Sequence, residues 1–157
     1  MLHCNKSLKL APAPRADYFC EMKLNEKGRF APPPTLPKFA QQLSEALASD
    51  PKVLARTHWL LGDETTIDGA DFYWGEEELG HLHLDGEAHV AQADSVRDAL
   101  IEAGFAEPFR WSRRFVVASV KREKDVAAVQ WLFDLRRREL EGTKPAALVK
   151  EVRERAR

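Results

Sequence analysis

The stretch "EELGHLHLDGEAHVAQA", residues 77–93, alternates apolar and polar side chains on both sides of an Asp-Gly pair. Alternation with a period of two is typical of strands that are buried on one face, and Asp-Gly favours a hairpin turn. The stretch therefore predicts two antiparallel strands, 77–84 and 87–93. The preceding "GADFYWG", residues 69–75, has a similar pattern and extends the prediction to a three-stranded meander.

Helical patterns flank this meander on both sides. Apolar residues recur at helical spacing from Phe39 to Leu47, and again in "ADSVRDALIEAG", residues 93–104. A strand rich in β-branched residues and two further helices follow, at 114–121, at 123–140 and after Pro145. The sequence thus predicts an α+β fold in which helices pack on one face of an antiparallel sheet. The predicted order is α-β-β-β-α-β-α, with one more helix at the end.

Three regions are predicted from this order. Residues 1–34 form an N-terminal extension, because prolines interrupt any helix there, although "YFCEMKL", residues 18–24, can add a strand. Residues 35–142 form the α+β domain. Residues 143–157 form a basic C-terminal helix that begins with a proline in its first turn.

Composition places the chain among soluble globular proteins. Its 157 residues, 44% of them hydrophobic, are enough for one domain with a core. The two cysteines, Cys4 and Cys20, form no C-x-x-C pair, and free thiols indicate a reducing compartment. Because no segment approaches the length of a membrane span, we expect a cytoplasmic protein without a membrane partner.

Charge is distributed unevenly along the chain. Residues 62–107 contain thirteen acidic residues and one base, Arg97, a net charge of −12. Nucleic-acid binding requires clustered positive charge, so we expect no nucleic-acid partner for this segment. The basic residues after 136 are compatible with an ordinary solvated helix.

Three of the five histidines, His81, His83 and His89, surround the Asp-Gly pair. His81 and His83 share one strand face, and Leu82 and Leu84 share the other, so the leucines are predicted to lie in the core. A two-residue turn places His89 on the leucine face, whereas a three-residue turn places it opposite His81 or His83. The histidines can thus be a catalytic pair, a metal site or a solvated polar face.

The H-x-H spacing is also that of many metal ligands, and with Gly75 and Glu87 it resembles the first cupin motif, although no second motif follows. Asp85 and Glu87 are candidate oxygen ligands beside the histidines. "GDETTIDG", residues 62–69, lacks the calcium-loop spacing and is predicted to be a polar loop.

A second group of candidates lies in "FRWSRRF", residues 109–115. Trp111 can stack on a planar ligand, and Arg113 and Arg114 can bind an anion. Together with Asp85 they are the predicted ligand-binding residues. No G-x-S-x-G motif suggests a nucleophile.

From about residue 70 to 140 the chain resembles the domain of the fungal luciferases and of many bacterial proteins filed under the same name. The resemblance rests on these segments: "GHLHLDGEAHVA" (80–91), "SVRDALIEAGF" (95–105), "EP" (107–108), "FVVASVK" (115–121) and "DVAAVQWLFDLRR" (125–137). Phe109 departs from the pattern, since many relatives have histidine there.

The resemblance implies an α+β domain and cofactor-free oxidation by O2 of an enolic styryl-pyrone. One of His81, His83 and His89 would then be the base that deprotonates the enol. We therefore expect a protein that binds a small planar molecule. Whether it is an enzyme is left open. The alternatives are a non-enzymatic interaction module that uses the basic C-terminal helix and the Pro-rich N-terminus, and a metal-dependent enzyme that uses the histidines with Asp85 or Glu87.

Overall fold

The computed structural model describes Leu24 and residues 27–157. It contains six strands and four helices in these positions: α1 (Lys38–Ala48), β1 (Val53–Leu60), β2 (Asp63–Trp74), β3 (Glu77–His83), β4 (Glu87–Ala91), α2 (Asp94–Glu102), β5 (Glu107–Pro108), β6 (Phe115–Ser119), α3 (Glu123–Leu140) and α4 (Pro145–Arg155). All neighbouring strands are antiparallel, in the order β1-β2-β3-β4-β6-β5. The predicted α+β class is confirmed.

The core lies between one face of the sheet and the helices. Central strands contribute Phe72, Leu82 and Val90, each fully buried. Helix α3 contributes Phe133, whose ring meets that of Phe72 edge to face at a centroid distance of 5.8 Å. This contact is typical of aromatic pairs and ties the longest helix to the middle of the sheet.

Two predictions for the chain before residue 69 were incomplete or wrong. Strand β1 was not predicted, and "GDETTIDG" is not a loop but the beginning of β2. Residues 64–67 of β2 are all exposed, so no alternation of apolar and polar residues indicates a strand in this part of the sequence. Thr65, Thr66 and Ile67 are β-branched and suit an extended backbone.

Leu84 also departs from the prediction. Leu82 is fully buried as expected, but Leu84 is 43% exposed. Leu84 is the first residue after β3 and belongs to the turn, where the alternation of strand side chains no longer applies.

Helix α4 packs on the same core as the rest of the domain. Leu148 and Val152 are fully buried, and the Trp131 indole on α3 donates a hydrogen bond of 2.9 Å to Glu151. The Arg155 guanidinium lies over the same indole, 4.2 Å from its centroid. None of the helices in the described part of the chain is both long and apolar enough to cross a membrane.

The chain before α1 runs along the outer edge of β1. The backbone N–H of Thr57 donates to the carbonyl of Ala31, and its hydroxyl donates to the carbonyl of Pro32. The Arg56 guanidinium donates to the carbonyls of Lys27, Gly28 and Arg29. The strand suggested for "YFCEMKL", apart from Leu24, and both cysteines lie outside the described residues.

Candidate histidine site

Four histidines meet on the sheet face opposite the core. His58 on β1, His81 and His83 on β3 and His89 on β4 alternate with core residues along their strands, and we call the surface that carries them the histidine face. His81 pairs directly with His89 in the ladder, and Asp71 of β2 lies on the other side of His81. The sheet thus joins residues that are up to 31 positions apart in the chain.

The turn between β3 and β4 determines this arrangement. It has three residues, 84–86, and the backbone N–H of Gly86 donates to the carbonyl of His83 over 3.0 Å. Gly86 has a φ of 86°, the left-handed conformation that closes such a three-residue hairpin. Of the two registers that the sequence allowed, the structure has the one in which His81 faces His89.

His58 is the histidine that the sequence analysis missed, because strand β1 was missed. In the ladder His58 and His83 are the neighbours of Gly69, one on each side. Gly69 presents no side chain between them, and the two rings lean together with centroids 5.3 Å apart. The ring of His58 also stacks on that of His81 at 4.2 Å, with an interplanar angle of 7°.

Each of the four imidazoles has one nitrogen within 3.0 Å of a carboxylate oxygen, and His58 Nε2 also lies 3.9 Å from an oxygen of Asp68. The contacts, with their nitrogen-to-oxygen distances, are His58 Nδ1 to Asp71 (2.7 Å), His81 Nδ1 to Glu78 (2.8 Å), His83 Nδ1 to Asp68 (3.0 Å) and His89 Nε2 to Glu87 (2.6 Å). A carboxylate is only an acceptor, so we assign the ring proton to the nitrogen that faces it. The other nitrogen of each neutral ring is then an acceptor.

The acceptor nitrogens of His81 and His83 both lie close to that of His89. His81 Nε2 lies 3.0 Å from His89 Nδ1, and His83 Nε2 lies 3.3 Å from the same atom. Burial lowers the pKa of His81 well below its usual value, and the nearby His58 lowers it further. Burial also lowers the pKa of His89, against the opposing effect of its hydrogen bond to Glu87. Both rings are therefore neutral at physiological pH.

Lys27 supplies positive charge at the edge of the site. Its ammonium lies 3.5 Å from a carboxylate oxygen of Asp71 and 3.5 Å from one of Glu78, and both acids are 1% exposed. The lysine side chain is itself 8% exposed. Two buried carboxylates thus share one buried ammonium, which compensates part of their charge.

Aromatic rings border the site on the β6 side. The ring of Phe109 lies 4.5 Å from that of His89, and Phe115 lies 5.5 Å from His81. Phe109 begins the loop that carries the predicted ligand-binding residues. Trp111 there is 46% exposed and stacks on Arg110 at 3.9 Å.

The other predicted ligand-binding residues are Asp85, Arg113 and Arg114. The Arg113 side chain is 72% exposed and approaches Asp98 of α2 at 3.8 Å. The carbonyl of Arg114 accepts a hydrogen bond from the backbone of Gln92. Asp85 is exposed in the β3–β4 turn, where its carboxylate accepts the backbone N–H of Glu87 over 2.9 Å. Their role in binding a ligand stays a prediction.

Within residues 27–157 and Leu24, two groups of side chains offer donor atoms within 4.8 Å of one another and could hold a metal ion: His58, His81 and His83, and Asp71, Glu78 and His81. The acids of the second group are the ones that the Lys27 ammonium bridges. Nothing in the sequence distinguishes Asp71 and Glu78 as site residues, because they are two of the thirteen acidic residues in residues 62–107.

Comparison with known proteins gives one match. Residues 76–136 match the family model described as "Luciferase domain", and no match was found among curated proteins or among solved structures. The matched segment contains three of the four clustered histidines, whereas His58 and Asp71 precede it. The resemblance predicted from the sequence is therefore confirmed: residues 76–136 match the luciferase-domain family.

Proposed function

We propose that this protein is an enzyme that binds a small planar molecule with an acidic enol or phenol hydroxyl on the histidine face, and that His58 removes its proton. The observation that carries the proposal is the 2.7 Å contact between His58 Nδ1 and the carboxylate of Asp71. Asp71 is 1% exposed, so it holds the ring in one tautomer with Nε2 as the acceptor. When Nε2 takes the proton, the adjacent carboxylate stabilises the imidazolium.

The sequence analysis placed this base among His81, His83 and His89. The side chains of His81 and His89 are 10% and 8% exposed, and the acceptor nitrogens of these two rings are directed toward each other rather than outward. The His83 side chain is 20% exposed, but its Nε2 is directed toward His89 Nδ1, 3.3 Å away. The His58 side chain is 14% exposed, and its Nε2 is not directed at another of these rings. A base must reach the proton that it removes, which favours His58.

The surroundings support a planar substrate. The rings of Phe109 and Phe115 lie beside His89 and His81, so aromatic faces border one side of the histidines. The resemblance to fungal luciferases implies an enolic substrate that O2 oxidises. Proton removal is the step that the histidine face supplies: the proton goes to His58, and the electron pair stays on the enolate oxygen, which makes the molecule electron-rich.

Umbelliferone, a fluorescent hydroxycoumarin, tests the proposal because its phenol and phenolate forms have different excitation spectra. We expect the protein to bind it and to raise its phenolate fraction at constant pH. His58→Ala should bind umbelliferone but lose most of the phenolate enrichment, whereas Glu154→Gln, an exposed change on α4, should behave as the unmodified protein. Absence of binding, or an unchanged phenolate fraction in His58→Ala, would refute the proposal.

Oxidation is tested separately with a dissolved-oxygen electrode and a hydroxypyrone. We expect oxygen uptake that depends on His58. Umbelliferone binding without oxygen uptake would limit the proposed function to proton transfer.

The alternative of a non-enzymatic interaction module has less support from the structure. Several polar side chains of α4 already contact α3, including Glu151, which pairs with Arg138 at 2.8 Å and accepts from Trp131. These contacts give α4 a packing role within the domain.

A further inference from the structure

We infer that His81, His83 and His89 form a binding site for a divalent first-row transition-metal ion. The first argument is the outer hydrogen bonding of the rings. Metal-ligating imidazoles almost always donate their second nitrogen to a carboxylate or carbonyl, which fixes the tautomer and raises the basicity of the ligand nitrogen. Glu78, Asp68 and Glu87 occupy these outer positions.

The second argument is the convergence of the inner nitrogens. With the ring protons on the carboxylate side, the lone pairs of His81 Nε2 and His83 Nε2 both face that of His89 Nδ1. Such an arrangement is repulsive unless a cation lies among the three atoms. A proton can bridge only two nitrogens at a time, whereas a metal ion can bind all three.

The distances agree with those of a coordination shell. Two imidazole nitrogens that each lie about 2.0–2.1 Å from a zinc-like ion are about 2.9 Å apart in octahedral and about 3.3 Å apart in tetrahedral geometry. The two observed separations, both of which end at His89 Nδ1, are 3.0 Å from His81 Nε2 and 3.3 Å from His83 Nε2. The rings also meet at steep angles, 69° for His81 with His89 and 66° for His83 with His89, as rings that approach a common point do.

His58 is not assigned as a ligand of this ion. Its ring is nearly parallel to that of His81, with an interplanar angle of 7° and a centroid separation of 4.2 Å. The lone pairs of stacked rings lie in separate parallel planes, so His58 and His81 cannot both point directly at one atom. This leaves His58 beside the metal site as the base.

The second candidate group, Asp71, Glu78 and His81, is not assigned as a metal site either. The Lys27 ammonium already lies 3.5 Å from both acids. A divalent cation at that position would be repelled by the lysine charge.

The donor set indicates the class of metal. Neutral imidazoles suit Zn, Fe, Ni and Cu, whereas Mg and Ca prefer oxygen ligands. Three protein ligands leave at least one coordination position for water or for a substrate oxygen, as in catalytic zinc sites. A catalytic role for this metal ion rests on the proposed function. A bound metal ion would lower the pKa of a substrate hydroxyl, and His58 would receive the proton.

Metal content is the direct test. The full chain, expressed without a histidine tag and purified without chelators, should contain about one equivalent of a transition metal by plasma mass spectrometry. After removal of metal with EDTA, CoCl2 should restore about one equivalent and produce visible d–d absorption bands that report nitrogen ligands. A folded protein that takes up neither CoCl2 nor ZnCl2 would overturn the inference.

Variants test the ligand assignment. His83→Ala and His89→Ala should lose the bound Co²⁺, and Asp68→Asn should weaken its binding roughly 10–100-fold through the outer hydrogen bond. His58→Ala is the matched control, an imidazole on the same face that should leave Co²⁺ binding intact. Loss of Co²⁺ from His58→Ala to the same extent would overturn this ligand set. Far-UV circular dichroism of each variant shows whether the fold is retained, and His83→Ala, the change at the most exposed ligand, is the one least expected to disturb it.

Failure of the inference and failure of the proposed function are distinguishable. Umbelliferone binding and a His58-dependent phenolate shift in a protein that takes up no metal would overturn the inference and leave the function standing. Stoichiometric Co²⁺ without umbelliferone binding would support the metal site and refute the function.

Discussion

His58 and His83 lie on either side of Gly69 in the sheet ladder, and their ring centroids are 5.3 Å apart across the strand that separates them. Three adjacent strands thus bring two imidazoles together because the middle strand has no side chain there. The backbones of β2 and β3 also lie close together at this position. A Cβ built at position 69 would lie 1.8 Å from the carbonyl oxygen of Leu82.

Gly69→Ala should therefore destabilise the protein by about 3 kcal/mol or more, since the backbone of β2 or β3 must shift to accept the methyl group. Gly62→Ala is the control, because a Cβ there has no atom within 4 Å and costs only its left-handed backbone, about 1 kcal/mol. Urea unfolding measures both. Similar midpoints for the two variants would contradict the close approach at Gly69.

Leu148→Ala tests whether α4 is part of the core or an independent appendage. The side chain is fully buried, so its truncation should cost about 2–5 kcal/mol. Leu61→Ala, at a position that is 55% exposed, should change the unfolding free energy by less than about 0.5 kcal/mol. If thermal unfolding gave the two variants the same Tm, helix α4 would contribute little to the stability of the domain.

The sequence revealed the parts of the fold that have a regular apolar pattern. Strands β3 and β4 alternate apolar and polar residues because one face contributes to the core and the other carries the histidines, and α2 and α3 have helical spacing on one face. Strand β1 and the exposed half of β2 have no such pattern, since they are held by backbone pairing at the edge of the sheet. Backbone hydrogen bonds are independent of side-chain type, so they leave little trace in the sequence.

The candidate site was predicted in part for the same reason. His81, His83 and His89 lie within nine residues, so their proximity could be inferred, but whether His89 faces them depended on one residue of turn length. His58 is brought to the site by the pairing of β1 with β2, and Lys27 reaches the site from the segment before α1. Such long-range contacts are set by tertiary packing rather than by local pattern.

Lys27→Met tests the charge balance at the edge of the histidine site. Removal of the ammonium leaves Asp71 and Glu78 buried with less compensation, so we expect a loss of about 3 kcal/mol in the unfolding free energy. The double variant Lys27→Met/Asp71→Asn should recover part of that loss, because the amide retains a hydrogen-bonding oxygen without the charge.

Lys150→Met is the matched control for Lys27→Met. Lys150 is 77% exposed and pairs with Glu154 at 3.7 Å on the surface of α4, so its replacement should cost less than about 1 kcal/mol. Guanidinium unfolding of the four proteins completes the comparison. Equal losses for the two single variants would show that the Lys27 contacts do not contribute to stability.

The stability of the metal-free protein should fall as the pH decreases from about 7 to about 5. Burial lowers the pKa of His81 in the folded state below its value of 6.5 in the unfolded chain. Between those two pKa values the unfolded state binds more protons than the folded state, so acid favours unfolding, by up to about 1.4 kcal/mol per pH unit for this one group. The loss begins as the pH falls through 6.5.

His81→Asn removes the titrating ring, so its unfolding free energy should depend less steeply on pH in the same range. Urea unfolding at a series of pH values in EDTA measures both slopes. If the slopes of the unmodified protein and of His81→Asn coincided, the imidazole of His81 would not be kept neutral by its burial, and the tautomers assigned to the histidine face would have to be revised.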